Sequence, residues 1–422
     1  MPDLDSAARG AKLASRRCAT LDTAAKNTLL RTLADDVRAH RAGILAANTN
    51  DLAAATAAGL PPAKLARLAL SPAALDQLEA GLHQIADLPD PVGRVTLERT
   101  VPSGLRVRKV RSPLGVILMI FEARPAVTLD AFALCFKSGN ACILKGGRES
   151  TLTSTLLAGL ARNRLRDFAP GLEDALVSLP DLPREDLPRL LALKHFIDLA
   201  IPRGGPELIA FVAQHARMPT VLHERGVCHV YIDRSADPDL AERVCVTAKT
   251  SAPAACNAAE CLLLDERAAP ALAPRLVRAL TAAGVEVRAC PATLAHLPAA
   301  VRTLPGVVPA MPEDFGTEFL APVIAMRTVA GLDEAIAHVQ AHGSDHTEAI
   351  LTRDTAAAAE FTARVHASCV VVNASTRFND GFQLGLGAEI GISTTRVHAY
   401  GPMGLEELTT QRWIVEGNGQ TR

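Results

Sequence analysis

The sequence predicts an α/β protein built on mostly parallel sheets. From about residue 115 onward, apolar runs of strand length alternate with amphipathic stretches of helix length, the pattern of α/β units. The run Gly115-Val116-Ile117-Leu118-Met119-Ile120-Phe121 is almost unbroken in its apolarity, as a strand buried on both faces requires. The chain has 422 residues, 49% of them hydrophobic, which is too long for one ordinary core and predicts two or three packed units.

The elements follow in order. Apolar residues recur at helical spacing over residues 5–85, and Pro61-Pro62 and Ser71-Pro72 read as helix starts. Residues 105–110 alternate as an exposed strand would. A helix over 127–138 stops at Gly139-Asn140, a good C-terminal cap. Strands are then expected at 142–144, 196–201, 229–232, 262–264 and 285–287. Helices are expected at 149–165, 206–214, 238–248 and 272–283. Arg412-Trp413-Ile414-Val415 reads as one last strand. The sequence has neither an internal repeat nor a low-complexity linker.

Composition excludes several function classes. Lys and Arg number 44 against 45 Asp and Glu, without a basic stripe, so no nucleic-acid partner is expected. Aromatics are only 3%, which gives no base-stacking surface. The apolar runs are too short to cross a bilayer, and Met1-Pro2-Asp3-Leu4-Asp5 has acids where a signal peptide needs a basic start. No membrane association and a cytoplasmic location are therefore expected. Nine cysteines without CxxC pairs predict neither a disulfide framework nor a zinc cage, and most should be small buried hydrophobes.

Cys256 stands out by context. Ala252-Pro253-Ala254-Ala255-Cys256-Asn257 follows a helix and precedes a strand, and small neighbours would let a carbonyl approach a thiolate. A buried structural thiol is the competing reading. Lys145-Gly146-Gly147-Arg148-Glu149 joins a strand to a helix, where phosphate can lie against a helix N-terminus. An ordinary turn with solvated charges stays open. Pro202-Arg203-Gly204-Gly205 repeats that geometry. Gly385-Leu386-Gly387-Ala388-Glu389-Ile390-Gly391 has the wrong spacing for a dinucleotide fingerprint and reads as a structural or substrate-side loop. His342 and His346, without a third ligand in a polar loop, read as surface residues, and no metal is expected.

With Cys256 and these turns in view, the chain resembles the γ-glutamyl phosphate reductase family of the aldehyde dehydrogenase superfamily. The resemblance runs almost end to end. It is carried by Ser112-Pro113-Leu114-Gly115-Val116-Ile117, Glu122-Ala123-Arg124-Pro125, Lys137-Ser138-Gly139-Asn140-Ala141, Ile201-Pro202-Arg203-Gly204-Gly205, Val227-Cys228-His229-Val230-Tyr231, Ala248-Lys249-Thr250, Val372-Asn373-Ala374-Ser375-Thr376-Arg377-Phe378 and Gly401-Pro402-Met403-Gly404-Leu405. It implies an aldehyde dehydrogenase-like fold with a Rossmann-like NADP-binding domain at 1–98 and 114–225. A catalytic domain at 226–385 and a small β oligomerisation element at 99–113 and 386–422 complete it.

The implied activity is NADPH-dependent reduction of L-glutamyl 5-phosphate to L-glutamate 5-semialdehyde, the second step of proline biosynthesis. It would run through a thioester on Cys256. Lys145, Arg148, Arg203, Gly204, Gly205 and Glu318 would hold the cofactor. Arg124, Asn373 and Arg377 would hold the substrate. A homo-oligomer, dimer or tetramer, is implied, and contact with glutamate 5-kinase is left open. Three departures matter. Ala123 stands where hydrolytic relatives place an oxyanion-hole asparagine. Leu222-His223-Glu224-Arg225-Gly226 lacks their Glu-Leu-Gly-Gly base motif, which argues against the alternative of a hydrolytic dehydrogenase. Ser251-Ala252 replaces the Gln-Arg usual in the family, and Arg124 or Arg377 would compensate. A non-catalytic protein keeping the fold is the remaining alternative, against which an intact Cys256 argues.

Overall fold

The computed structural model describes residues 3–222 and 225–422, and the side chain of Ala63 is not among the described ones. His223 and Glu224, in the segment that lacks the base motif, lie outside the described residues. The chain opens with five helices: α1 (Leu4–Cys18), α2 (Thr23–Ala39), α3 (Arg41–Ala57), α4 (Pro62–Leu68) and α5 (Pro72–Asp87). Asp22 and Ser71 cap α2 and α5 through their side chains, and proline occupies the first position of α4 and α5, as expected.

A long ribbon comes next, β1 (Val95–Thr100) and β2 (Arg106–Pro113). β1 was not expected. Every residue in it is exposed, so it carries no alternation of burial to read, and it begins inside the stretch expected to end a cofactor domain at 98. β3 (Val116–Phe121) is buried at all six positions. α6 (Val127–Lys137) ends at Gly139, whose φ of 78° suits glycine, and a Cβ there would sit 2.7 Å from Pro113. Asn140 then locks the corner: its Oδ1 accepts the Gly115 N–H and its Nδ2 donates to the Leu408 carbonyl, both at 2.8 Å.

β4 (Ala141–Lys145), α7 (Thr151–Phe168), β5 (Leu176–Ser178), α8 (Leu187–Leu191), β6 (Leu199–Arg203) and α9 (Pro206–His215) complete a parallel four-stranded sheet of order β5-β4-β3-β6. Its core takes in the N-terminal helices and also Ile390, Met403 and Leu408 from the far end of the chain.

The second half holds a parallel seven-stranded sheet. β7 (Cys228–Ile232) leads to α10 (Pro238–Thr250), which starts on Asp237 as N-cap, and then to β8 (Ala259–Asp265). β9 (Glu286–Ala289), β10 (Val307–Pro309), β11 (Val323–Val329), β12 (Thr347–Leu351) and β13 (Cys369–Val372) give the order β10-β9-β11-β8-β7-β12-β13. Separate apolar cores cover its two faces. β14 (Ile392–Ser393) pairs with β15 (Gly401–Pro402), and β16 (Thr409–Glu416) adds antiparallel to β2, making the three-stranded sheet β1-β2-β16. Among the described residues, no helix is long and apolar enough to cross a membrane.

Candidate active site

Cys256 sits in the short link between α10 and β8. Seven of the nine cysteines are buried; Cys256 and Cys369 are half-exposed. The link is fixed from three directions. Behind it, the Cys228 thiol on β7 donates to the Cys256 carbonyl at 3.3 Å. Beside it, Asn257 Nδ2 donates to the Asn379 carbonyl at 2.9 Å and lies 3.5 Å from that of Arg377. Below it runs Gly226, whose N–H donates to Glu318 Oε1 at 2.9 Å.

Four charged groups act on the Cys256 thiol or on its surroundings. Burial pushes the thiol up from its ordinary range, Arg203 pulls it back, and Glu318 and Glu389 add to the rise. Glu389 belongs to the glycine-rich loop read above as substrate-side. Its Oε2 accepts the Gly381 N–H at 2.8 Å, and burial raises its own pKa. Arg124 is half-buried and pulled down to about 10, chiefly by burial and then by the charges of Arg203 and Arg67. Arg203, expected on the cofactor side, thus acts on the thiol, although Gly204 and Gly205 beside it are exposed at the start of α9.

The expected cofactor turn lines a cleft of about 370 Å³. Lys145, Gly146, Gly147 and Arg148 form one wall, Leu208 and Phe211 of α9 another. Lys145 Nζ donates to the Gly146 carbonyl at 2.5 Å, and burial lowers its pKa. Arg148 is exposed at the rim. Glu149 reaches across to accept the Ala123 N–H at 2.6 Å. Ala123 is buried at a φ of 46°, a left-handed conformation unusual for alanine. The donors on this wall fit a dinucleotide: cationic side chains and glycine backbone at the carboxyl ends of parallel strands.

Two expected residues are placed differently. Asn373 engages the backbone of Thr352 with both ends of its amide, Oδ1 accepting from the N–H and Nδ2 donating to the carbonyl, each at 2.8 Å, so its amide is occupied. His346 is fully buried rather than on the surface, with Nδ1 2.7 Å from Thr347 Oγ1 and 3.6 Å from Cys228 Sγ, because the loop folds inward behind β7. Arg377 is half-buried beside Asn257, its Nε without a hydrogen-bond partner among the described residues.

Sequence reasoning missed Glu149, Glu389 and a buried ion pair, Lys249 Nζ to Glu260 Oε2 at 2.5 Å. Glu260 Oε1 lies 3.4 Å from the Leu320 N–H, so this pair backs the segment that carries Glu318.

Comparison with known proteins identifies the family and the fold. The family model "Aldehyde dehydrogenase family" matches residues 2–293. A protein named γ-glutamyl phosphate reductase from Anaeromyxobacter sp. (strain K) is 50% identical over 428 residues, covering 100% of this chain and 97% of the relative. One of the same name from Xanthomonas campestris pv. campestris (strain B100) is 50% identical, covering 95% of each. The crystal structure of γ-glutamyl phosphate reductase from Thermotoga maritima superposes with a TM-score of 0.94 at 37% identity, covering 100% of both chains. Aldehyde dehydrogenase family members use NAD(P). The chain belongs to the aldehyde dehydrogenase family and, within it, to the γ-glutamyl phosphate reductases.

Proposed function

We propose that the chain reduces L-glutamyl 5-phosphate to L-glutamate 5-semialdehyde with NADPH and releases phosphate, the second step of proline biosynthesis. The observation that carries this reading is the setting of Cys256. The half-exposed Cys256 thiol feels both the cation of Arg203 and the anion of Glu318, and Glu318 is held by Gly226, which lies against the Cys256 backbone.

The Cys256 thiolate attacks the acyl carbon, phosphate departs, and a thioester forms. The acyl phosphate is already activated, so the protein's part is to position groups and stabilise charge. Lys145 and Arg148 hold the cofactor's ribose and phosphate groups, with Gly204 and Gly205 at the opposite turn and Glu318 at the nicotinamide ribose. Bound there, NADPH supplies the hydride that takes the thioester to the aldehyde level. Glu318 is itself anchored by Gly226, which couples cofactor position to the nucleophile link. Arg377, tied to Cys256 through Asn257, is the group for the substrate's α-carboxylate. No Glu-Leu-Gly-Gly motif stands at 222–226, so the thioester should resist water.

The domains follow the same reading: cofactor binding around the four-stranded sheet, catalysis around the seven-stranded one, and oligomerisation through β1-β2-β16, which exposes Val95, Leu97, Trp413 and Val415.

The test is the reverse reaction. With glutamate semialdehyde and NADP, steady NADPH production should require inorganic phosphate or arsenate. Many turnovers in phosphate-free buffer would show a hydrolytic dehydrogenase instead.

A further inference from the structure

We propose that Arg203 and Arg124 form one anion site that receives the departing phosphate of an acyl phosphate, which moves Arg203 from the cofactor to the leaving group. The proposal rests on the reductase reading and adds the residues that make acyl phosphate its substrate class.

The backbone places the two arginines together. β3 and β6 are adjacent parallel strands, and Phe121 pairs with Arg203 at their carboxyl ends. One residue on, the Glu122 N–H donates to the Arg203 carbonyl at 3.3 Å. β4 and β5 extend the sheet on one side of β3, and β6 lies on the other. The order of strands reverses between β3 and β6, where the cofactor cleft opens; Arg203 ends β6 and Arg124 follows Glu122 of that lining, but neither lines the cleft itself. The left-handed turn at Ala123, held by Glu149, sets the course of the chain into Arg124. A strained alanine fixed by a charged hydrogen bond is a feature that clusters at functional sites.

The charges are uncompensated. Among the described residues, neither Arg124 nor Arg203 lies within ion-pairing distance of a carboxylate, unlike most arginines of this chain that cross a cleft or a sheet edge. Glu389 is the acid that feels Arg203, and its carboxylate is held on the Gly381 N–H instead. Room for the Arg203 guanidinium exists because residue 391 is glycine: a Cβ there would fall 2.7 Å from Nη1. Burial and then the charges of Arg203 and Arg67 pull Arg124 down to about 10, and the Cys256 sulfur acts on it in the opposite sense. Cations that act on one another and have no carboxylate partner among the described residues suit an anionic ligand, and arginine matches phosphate in bidentate geometry. The cofactor cleft is lined by neither residue, which separates this site from the one for the dinucleotide.

The step balances simply. A lone pair of Cys256 Sγ forms the bond to the acyl carbon. The bond from that carbon to the bridging oxygen breaks, and its electrons stay on the phosphate. The negative charge gained by the leaving oxygen develops beside Arg203 and Arg124, which lowers the barrier to departure.

The test uses the purified full-length protein run in reverse with glutamate semialdehyde, NADP and inorganic phosphate. Arg203→Met and Arg124→Met should each raise the KM for phosphate by roughly ten- to a hundred-fold, the value of a charge-assisted contact. The KM for the semialdehyde should move at least ten times less. Arg203→Lys should recover part of the loss, and Gly391→Ala, which crowds the guanidinium, should reproduce it in milder form. The lysine and alanine variants also serve if a methionine variant fails to fold. An unchanged phosphate KM in folded variants overturns the proposal. So does a rise confined to the semialdehyde KM, which would mean the arginines hold the substrate carboxylate. Wild-type turnover without any phosphate requirement would overturn the reductase reading itself, an outcome visible before any variant is made.

Discussion

Gly226 lies against the backbone of Cys256 with no room for a side chain: a Cβ at residue 226 would sit 1.9 Å from the Cys256 carbonyl oxygen. The same residue donates its N–H to Glu318. It is thus the joint between the nucleophile link and the carboxylate assigned to the cofactor. Gly226→Ala should push the link outward and displace Glu318. A misplacement of about 1 Å lowers turnover by roughly a hundred-fold. The variant should therefore lose most of its activity and also melt below the wild type, since forcing the backbone apart costs about 1–3 kcal/mol. Full activity would show that the link tolerates displacement.

The nucleophile itself is tested by Cys256→Ser. A neutral hydroxyl is a far weaker nucleophile at neutral pH, so turnover should vanish while cofactor binding, followed by fluorescence quenching, persists. Retention of substantial activity would move the nucleophile to another residue, with half-exposed Cys369 the first to examine.

What the sequence revealed followed from how local the cause was. β3 was readable because its burial on both faces demands an unbroken apolar run. α5 was readable because Ser71-Pro72 is a start signal in itself. β1 was not, since exposure on both faces leaves no pattern. The direction of the Arg203 side chain depends on Gly391, in a distant loop, and no window around residue 203 contains that information. Asn373 has the residue type of a substrate ligand, but its partner Thr352 comes from the adjoining β12 region, so only the fold shows the amide occupied. His346 looked solvated for the same reason: its neighbours in sequence are polar, and its neighbour in space is Cys228 on β7, 118 residues away.

Cofactor choice should depend on Arg148. An exposed arginine at the cleft rim favours a 2′-phosphate, and a carboxylate would repel it. The wild type should prefer NADPH to NADH, and Arg148→Glu should lose roughly ten- to a hundred-fold of that preference. The ratio of kcat/KM for the two cofactors measures it, and equal use of both by the wild type would contradict the assignment.

Lys249 and Glu260 form an ion pair that is almost completely sealed from water. Removing one partner leaves a buried charge, which destabilises by about 3–5 kcal/mol. Lys249→Met should lower the melting temperature markedly. Lys249→Met combined with Glu260→Gln should recover part of it, since the stranded carboxylate is then gone. Strict additivity of the two losses would show that the pair is not coupled.

The last expectation concerns pH. Burial disfavours the thiolate of Cys256, Glu318 and Glu389 disfavour it further, and Arg203 favours it; the net effect is a thiol above its ordinary value. In the free enzyme, the rate of alkylation by iodoacetamide should therefore still be climbing as pH passes about 8.5, where an ordinary cysteine is half ionised. Cys256→Ser, run alongside, removes the contribution of Cys369. The two charges acting in opposite senses give opposite shifts. Arg203→Met takes away a cation that stabilises the thiolate, so its profile should move to higher pH. Glu318→Gln takes away an anion that opposes the thiolate, so its profile should move to lower pH. A wild-type plateau at or below about 8.5 would mean that the site already favours the thiolate. A downward shift in Arg203→Met would mean that its guanidinium does not face the sulfur.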